Sequence, residues 1–233
     1  MLLKKIFLLI SGTLIISVSG LWAGDTASFV DMGFSMDGKI YMFGQYGVQM
    51  PSLRPWADLC IVDVTNNNFV SGGRISYTHD SPIQAGQDGS GALFRLLAGN
   101  SGLANRYGVS FPNQGQPLYI SMDTSPPAAG ETIEFRDFIS GKSYKANLIP
   151  SVEGSGQNLK SSFYISLESR SQDGRVEKHT IGAPQVKRPQ ISAYNFKRVL
   201  IHTQGNSIIF VIEMKKLGES GHDIRYMVEA LRL

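Results

Sequence analysis

Cysteine is nearly missing from this chain: Cys60 is the only one. No internal disulfide can form, so the fold must be held by its core. Cys60 lies in the apolar run Leu59-Cys60-Ile61-Val62. Nothing near it supplies the electropositive, accessible setting of a nucleophilic thiol, so it reads as a small buried hydrophobe. Long apolar runs are also scarce. Beyond residue 23 no stretch is apolar enough to span a bilayer. Histidine is sparse. His79, His179, His202 and His222 have no metal-ligand spacing, and no His-Glu-x-x-His occurs, so no metal site is expected. The Gly-x-Ser-x-Gly elbow of many hydrolases is missing. The glycine-rich Gly86-Gln87-Asp88-Gly89-Ser90-Gly91 lacks the lysine and spacing of a phosphate loop. These absences leave no catalytic residue to nominate and no cofactor to expect.

The one long apolar run is at the start. Lys4 and Lys5 precede Ile6 to Trp22, and Ala23 supplies a small residue before Gly24-Asp25. A short basic region, an apolar core and a small residue at the cut point to a cleaved secretory signal peptide over residues 1–23, the alternative being a retained membrane anchor, for which the run is near the lower length limit. No cysteine follows it, which excludes lipid attachment there. Cleavage leaves 210 of the 233 residues, expected to form a single β-rich exported domain over 24–233. Lys4 and Lys5 leave with it, so 20 basic residues then face 19 acidic ones, a net +1. The basic pI of the precursor therefore says nothing about nucleic acid or membrane binding.

The 25 glycines and 10 prolines favour a turn-rich, mainly β architecture. Ser35-Met36-Asp37-Gly38 is a hairpin turn between Phe34 and the apolar Ile40 to Phe43: Asp37 can bond its own backbone and Gly38 can take positive φ. Strands at 28–35, 39–45, 58–64 and from 69 make an antiparallel meander, with 46–56 as the connection between its second and third strands. One helical region near 92–108 follows, with Ser90 as its N-cap and Gly108 as its stop. Further strands are expected at 118–122, 132–136, 144–148, 163–168, 175–180, 198–202, 207–213 and 224–231. Loops are expected at 124–130 and 151–157.

The end of the chain echoes its beginning. Gly33 to Phe43 aligns with Leu200 to Phe210 at an offset of 167, and Asp58 to Asp63 with Asp223 to Val228 at 165. The first and last strand groups are therefore expected to share a common sheet. Phe34-Ser35-Met36-Asp37-Gly38 with Ile61-Val62-Asp63 resembles one blade of a TolB-like or WD-repeat propeller. Residues 75–190 show no further copies, so a complete β-propeller is not expected. More specifically, Gly24 to Val30, the Gly33 to Gly38 turn and Phe43-Gly44-Gln45-Tyr46-Gly47-Val48-Gln49 resemble a family of predicted secreted bacterial proteins of unknown function. That resemblance implies export and transfers no functional residue.

For function, the expectation is a non-catalytic binding or structural module of the cell envelope, in the periplasm or secreted, with an envelope protein or polymer as partner. A blade-like hairpin can offer a sheet edge for strand addition. Tyr46, Gln49 and Trp56, in the connection after the second strand, are candidate ligand-binding residues, with Gly89 and Ser90 as a candidate anion loop. Arg175, Lys178, Lys187, Arg188, Lys197 and Arg198 against Glu177 give a local +5. Only Tyr194 and Phe196 supply nearby rings, so nucleic acid is not an expected partner. The competing expectation is an envelope hydrolase in which Glu134, Asp137, Glu153 and Asp173 meet in a cleft. Asp80, Asp88 and Asp173 lack the regular spacing of a calcium loop.

Overall fold

A computed structural model describes residues 24–84, 86–122, 130–202, 204, 206–218 and 221–233. Residues 1–23, read from the sequence as a signal peptide, and most of the loop expected at 124–130 lie outside these residues. The elements in chain order are β1 (Ser28–Phe34), β2 (Ile40–Gln49), β3 (Arg54–Asp63), β4 (Asn68–Thr78), α1 (Ser90–Gly99), α2 (Gly102–Arg106), β5 (Gln116–Ile120), β6 (Glu131–Arg136), β7 (Ser143–Glu153), β8 (Lys160–Arg170), β9 (Val176–Ile181), β10 (Arg188–Pro189), β11 (Ile191–Ile201), β12 (Ser207–Gly218) and β13 (Gly221–Arg232). They form three antiparallel sheets: β1-β2-β3-β4, β10-β8-β7-β6 with β9 also on β8, and β13-β12-β11-β5. The architecture is mainly β with two helices, and the described residues form neither a barrel nor a propeller.

The layering follows from one strand. Ile208, Phe210 and Ile212 of β12 pack with Leu148, Phe163, Ile165 and other residues of the second sheet. Ile209 and Val211 point the other way, into a core with Phe34, Tyr41, Phe43 and Val62 of the first sheet. A strand with side chains alternating between two apolar layers needs apolar residues at every position. This accounts for the unbroken Ile208-Ile209-Phe210-Val211-Ile212, all buried. Helix α1 covers the outer face of the first sheet through Ala92, Leu93 and Leu96, against Met42, Leu59 and Ile61. The order of layers is helix, first sheet, central sheet, second sheet.

A bulge in β11 shows how tightly this is patterned. Phe196 pairs with Ile212 and Arg198 with Val211, so Lys197 is the extra residue. An extra residue shifts the side-chain alternation by one. Phe196 and Val199 consequently both face the second sheet, although an odd number of positions separates them.

The internal echo is real in register and wrong in connection. Phe34 pairs with Tyr41 and Ile201 with Ile208, both at the offset of 167. Opposite these hairpins, Ile40 pairs with Asp63 and Ser207 with Arg232. The third strands are therefore equivalent at an offset of 169, not 165; the four-residue slip preserves side-chain alternation, so the pattern alone did not expose it. Gly205 of the echo lies outside the described residues. The two strand groups do not share a sheet. They stack face to face, because each presents an apolar face that only another sheet can cover. The hairpin ends touch: Ser207 Oγ donates to the Gly38 carbonyl at 2.7 Å. Gly38 has φ +68, and a Cβ there would lie 2.7 Å from His202 Nδ1.

Three further expectations change. The connection placed at 46–56 is only a turn between Gln49 and Arg54, since β2 and β3 pair as far as Gln49↔Arg54. β4 runs to Thr78 as an exposed edge strand, and β7 runs through Ser151 to Glu153 where a loop was expected. The N-cap of α1 is Gly89, and Ser90 is its first residue.

Candidate functional site

β13 is the edge of the central sheet: it pairs with β12 and no other strand of that sheet. The flanking layers continue past it. The β3–β4 strands and their turn overhang from one side, and β9, β10 and the segment between them from the other. The space between is a cleft of about 1010 Å³ whose floor is the outer edge of β13. Val62 and Phe69 on one wall, and Ile181 and Val186 on the other, make much of it apolar.

The outward backbone groups of β13 can be followed one by one, since an edge strand leaves alternate residues unpaired. The Ile224 N–H donates to the Asp25 carbonyl at 2.8 Å, and Thr26 forms a parallel bridge with Ile224. The Tyr226 N–H donates to Gln45 Oε1 at 2.8 Å and the Ala230 N–H to Asn67 Oδ1 at 2.6 Å. These side-chain amides stand where the carbonyls of a neighbouring strand would be. Val228, between them, also points its N–H outward, and it has no partner among the described residues. The carbonyls of Tyr226, Val228 and Ala230 accept nothing there either.

Both amides are held from behind. Gln45 Nε2 donates to Asp58 Oδ2 at 3.0 Å, and Ser76 Oγ donates to the other oxygen of Asp58 at 2.5 Å. Asn67 Nδ2 donates to Glu229 Oε2 at 2.5 Å, and Arg188 lies 3.7 Å from the same carboxylate. Asp58 and Glu229 are the acidic residues of the cleft. Their amide partners meet β13 four residues apart, about 13 Å at the strand rise. Each carboxylate is committed to its own amide, so they form no facing acid–base pair.

Burial raises the Glu229 carboxyl above its ordinary 4.5, against the lowering pull of Asn67 and Arg188. Burial likewise raises Asp25, against Arg225. A group with a raised folded pKa binds its proton more tightly in the folded state than in the unfolded chain. Stability is therefore higher below that raised value and declines as pH climbs through it. Glu229→Gln, which keeps the amide contact without the charge, is expected to remove part of this decline. Urea midpoints between about pH 4 and pH 7 measure it; an unchanged slope contradicts the assignment.

The residues singled out from the sequence fall elsewhere. Trp56 is buried against the central sheet, its Nε1–H donating to Asp25 Oδ2 at 2.5 Å, and Arg225 stacks over its ring at 4.2 Å. Tyr46 packs on the opposite face with the helix side of the first sheet. Tyr46 and Trp56 thus line no common groove, and Gln49 ends β2 beside the turn. Gly89 packs on the β2 backbone, where a Cβ would lie 2.3 Å from the Gly47 carbonyl oxygen. Ser90 N–H and Oγ both donate to Asp88 Oδ1, at 2.9 and 2.5 Å. The Asp88 carboxylate thereby occupies the place of an incoming anion at the start of α1, and these bonds lower its pKa.

The loop carboxylates are dispersed. Glu134 pairs with Lys145, Glu153 with Lys187 and Asp173 with Arg175. Asp137 is buried in its own turn, accepting from the Ile139 N–H and Ser140 Oγ. Asp137 lines a second cleft of about 300 Å³ with Tyr144 and His202. Both nitrogens of that histidine face amide groups: Nε2 lies 3.4 Å from Asn113 Nδ2 and Nδ1 lies 3.3 Å from Asn206 Oδ1. Among the described residues no three histidine, cysteine or acidic side chains gather as a metal site. Cys60 is buried, and its thiol is pushed up to about 12 by burial and by Asp58. Five of the six cations of the basic run at 175–198 pair with Asp173, Glu168, Glu153, Glu229 and Glu213, and Arg198 lies over the Phe29 ring.

No curated protein and no solved structure matches the chain. A family model described as predicted secreted protein (DUF2259) matches residues 42–232, so the chain belongs to that family of exported proteins of unknown function.

Proposed function

We propose that this exported protein is a non-catalytic binding module of the cell envelope and that its ligand is an extended polypeptide segment added to β13. One observation carries the reading: an outward, unpartnered N–H at Val228 lies on the floor of a cleft with apolar walls. The free edge from Tyr226 to Arg232 is about 20 Å long at the strand rise, enough for one ordinary strand. An added strand exchanges its carbonyls for the amide oxygens of Gln45 and Asn67 and gains a bond at Val228. In strand addition the main-chain bonds supply affinity, and alternate side chains enter the walls.

Proline at an edge position with an outward N–H removes a donor without removing a ladder bond. Val228→Pro is expected to lower the unfolding free energy by about 1–3 kcal/mol, because Val228 is also a buried member of the first core, and to leave the fold intact. It is expected to abolish binding of an acetylated peptide in which valine alternates with glutamine, long enough to cover Tyr226–Arg232. Calorimetry on both proteins checks this. Equal binding by the two would end the strand-addition reading.

A further inference from the structure

We infer that the segment received by the cleft is acidic, and that Arg188 binds one of its carboxylates. This rests on strand addition at β13 and names the chemistry of the partner. Arg74, Arg188, Lys216 and Arg232 line the cleft against Asp58 and Glu229, a net +2, and the fifth lining cation, Arg225, is paired with Asp25. Residues 24–233 together carry only +1, so the rest of that chain is net negative and the positive charge is gathered at this groove. Such a distribution attracts an anionic partner and repels a cationic one.

Arg188 lines the cleft without a close carboxylate partner. Its guanidinium lies over the Phe163 ring at 5.1 Å, and its Nη2 is 3.7 Å from Glu229. Its Nη1 is buried with no hydrogen-bond partner. The accessible part of the guanidinium lines the cleft with no carboxylate nearer than Glu229 at 3.7 Å, and a carboxylate is the acceptor that fits a guanidinium fork best. Arg74 reaches in from the opposite wall, 3.8 Å from Asp58 and largely exposed. Side chains of an added strand alternate between the walls. Acidic residues at alternate positions can therefore meet Arg188 while the intervening apolar residues meet Val62 and Phe69.

The test uses the secreted protein and three acetylated peptides covering the Tyr226–Arg232 length, in which valine alternates with glutamate, glutamine or lysine. The glutamate peptide is expected to bind about tenfold more tightly than the glutamine peptide, and the lysine peptide more weakly than both. Raising the salt should narrow the spread. The double variant Arg188→Gln, Glu229→Gln, which leaves no unpaired charge behind, is expected to bring glutamate and glutamine peptides within about twofold while still binding both. Indifference of the parent protein to peptide charge would overturn the acidic assignment and leave strand addition standing. Failure of all three peptides would overturn strand addition itself. Tight binding of polygalacturonate that survives Val228→Pro would replace the peptide with an anionic polymer.

Discussion

Truncating Phe210 to alanine is expected to lower the unfolding free energy by about 4 kcal/mol, near the upper end for a buried aromatic. Phe210 is fully buried in the middle of β12, with its ring centroid 5.8 Å from that of Phe196. It is held by both the central and the second sheet, so neither can relax inward without moving the other. A cavity that cannot collapse carries its full cost. No disulfide shares the load, since Cys60 is alone. Exposed Phe94 on α1 is the control: its alanine variant should change stability by less than about 0.5 kcal/mol. Chemical denaturation of the two variants decides the matter. Similar small losses at both positions would mean that the central layer does not bear the fold.

The second large effect is at Asp25, which ties the start of the described chain to two sheets. Its carboxylate accepts from Trp56 of β3 and from Arg225 Nη2 of β13 at 2.7 Å, and its backbone N–H donates to Asp223 Oδ1 at 3.0 Å. Asp25→Ala leaves the indole N–H without its acceptor and Arg225 without its near carboxylate; the more distant Asp223 at 3.7 Å and the backbone carbonyls of Asp25 and Ile224 at 3.1 and 2.9 Å remain. Removing one partner of a buried pair costs about 3 kcal/mol. Asp25→Asn should cost far less, about 1 kcal/mol, because burial already disfavours the charged form and an amide oxygen can still accept from Trp56. The contrast between the two variants, read from thermal or urea unfolding, separates loss of the hydrogen-bond acceptor from loss of charge. Equal losses would contradict this account.

How much could be read in advance depended on how local the cause was. The hairpin at Ser35–Gly38 was legible because its determinants sit together: Ser35 Oγ donates to Asp37 Oδ1 at 2.7 Å and the Lys39 N–H to the same oxygen at 3.1 Å. Export, the antiparallel meanders and the helical region were legible for the same reason. The 46–56 segment misled because Gly47 and Pro55 look like punctuation. In the structure Gly47 faces Trp56 and Val48 faces Pro55 within one ladder. There the absence of a side chain on Gly47 leaves room for Asp25 and Trp56. β4 is hard to read because Gly72-Gly73 and a register irregularity between Phe69 and Arg74 interrupt its alternation, which resumes only at Ile75 and Tyr77.

The cleft was illegible for a different reason. Its floor comes from β13, its walls from the β3–β4 turn and the β9–β10 segment, and its two capping amides from Gln45 and Asn67. An isolated glutamine or asparagine carries no sequence signal for covering a distant strand edge. The one faint signal was the basic surplus at 175–198, and of that run Arg188 alone lines the cleft. Lys178, Lys187 and Lys197 meet carboxylates on other strands, pairings that only the sheet register reveals, while Arg175 pairs within its own turn and Arg198 lies over the Phe29 ring.

Amide hydrogen exchange at Val228 tests the central claim most directly. In the free protein this N–H should exchange far faster than those of Met227 and Glu229, its ladder-bonded neighbours, and saturating valine–glutamine peptide should slow it by on the order of a hundredfold. A Val228 amide already protected without peptide, or unchanged with it, would show that the edge of β13 is closed and that no strand is added there.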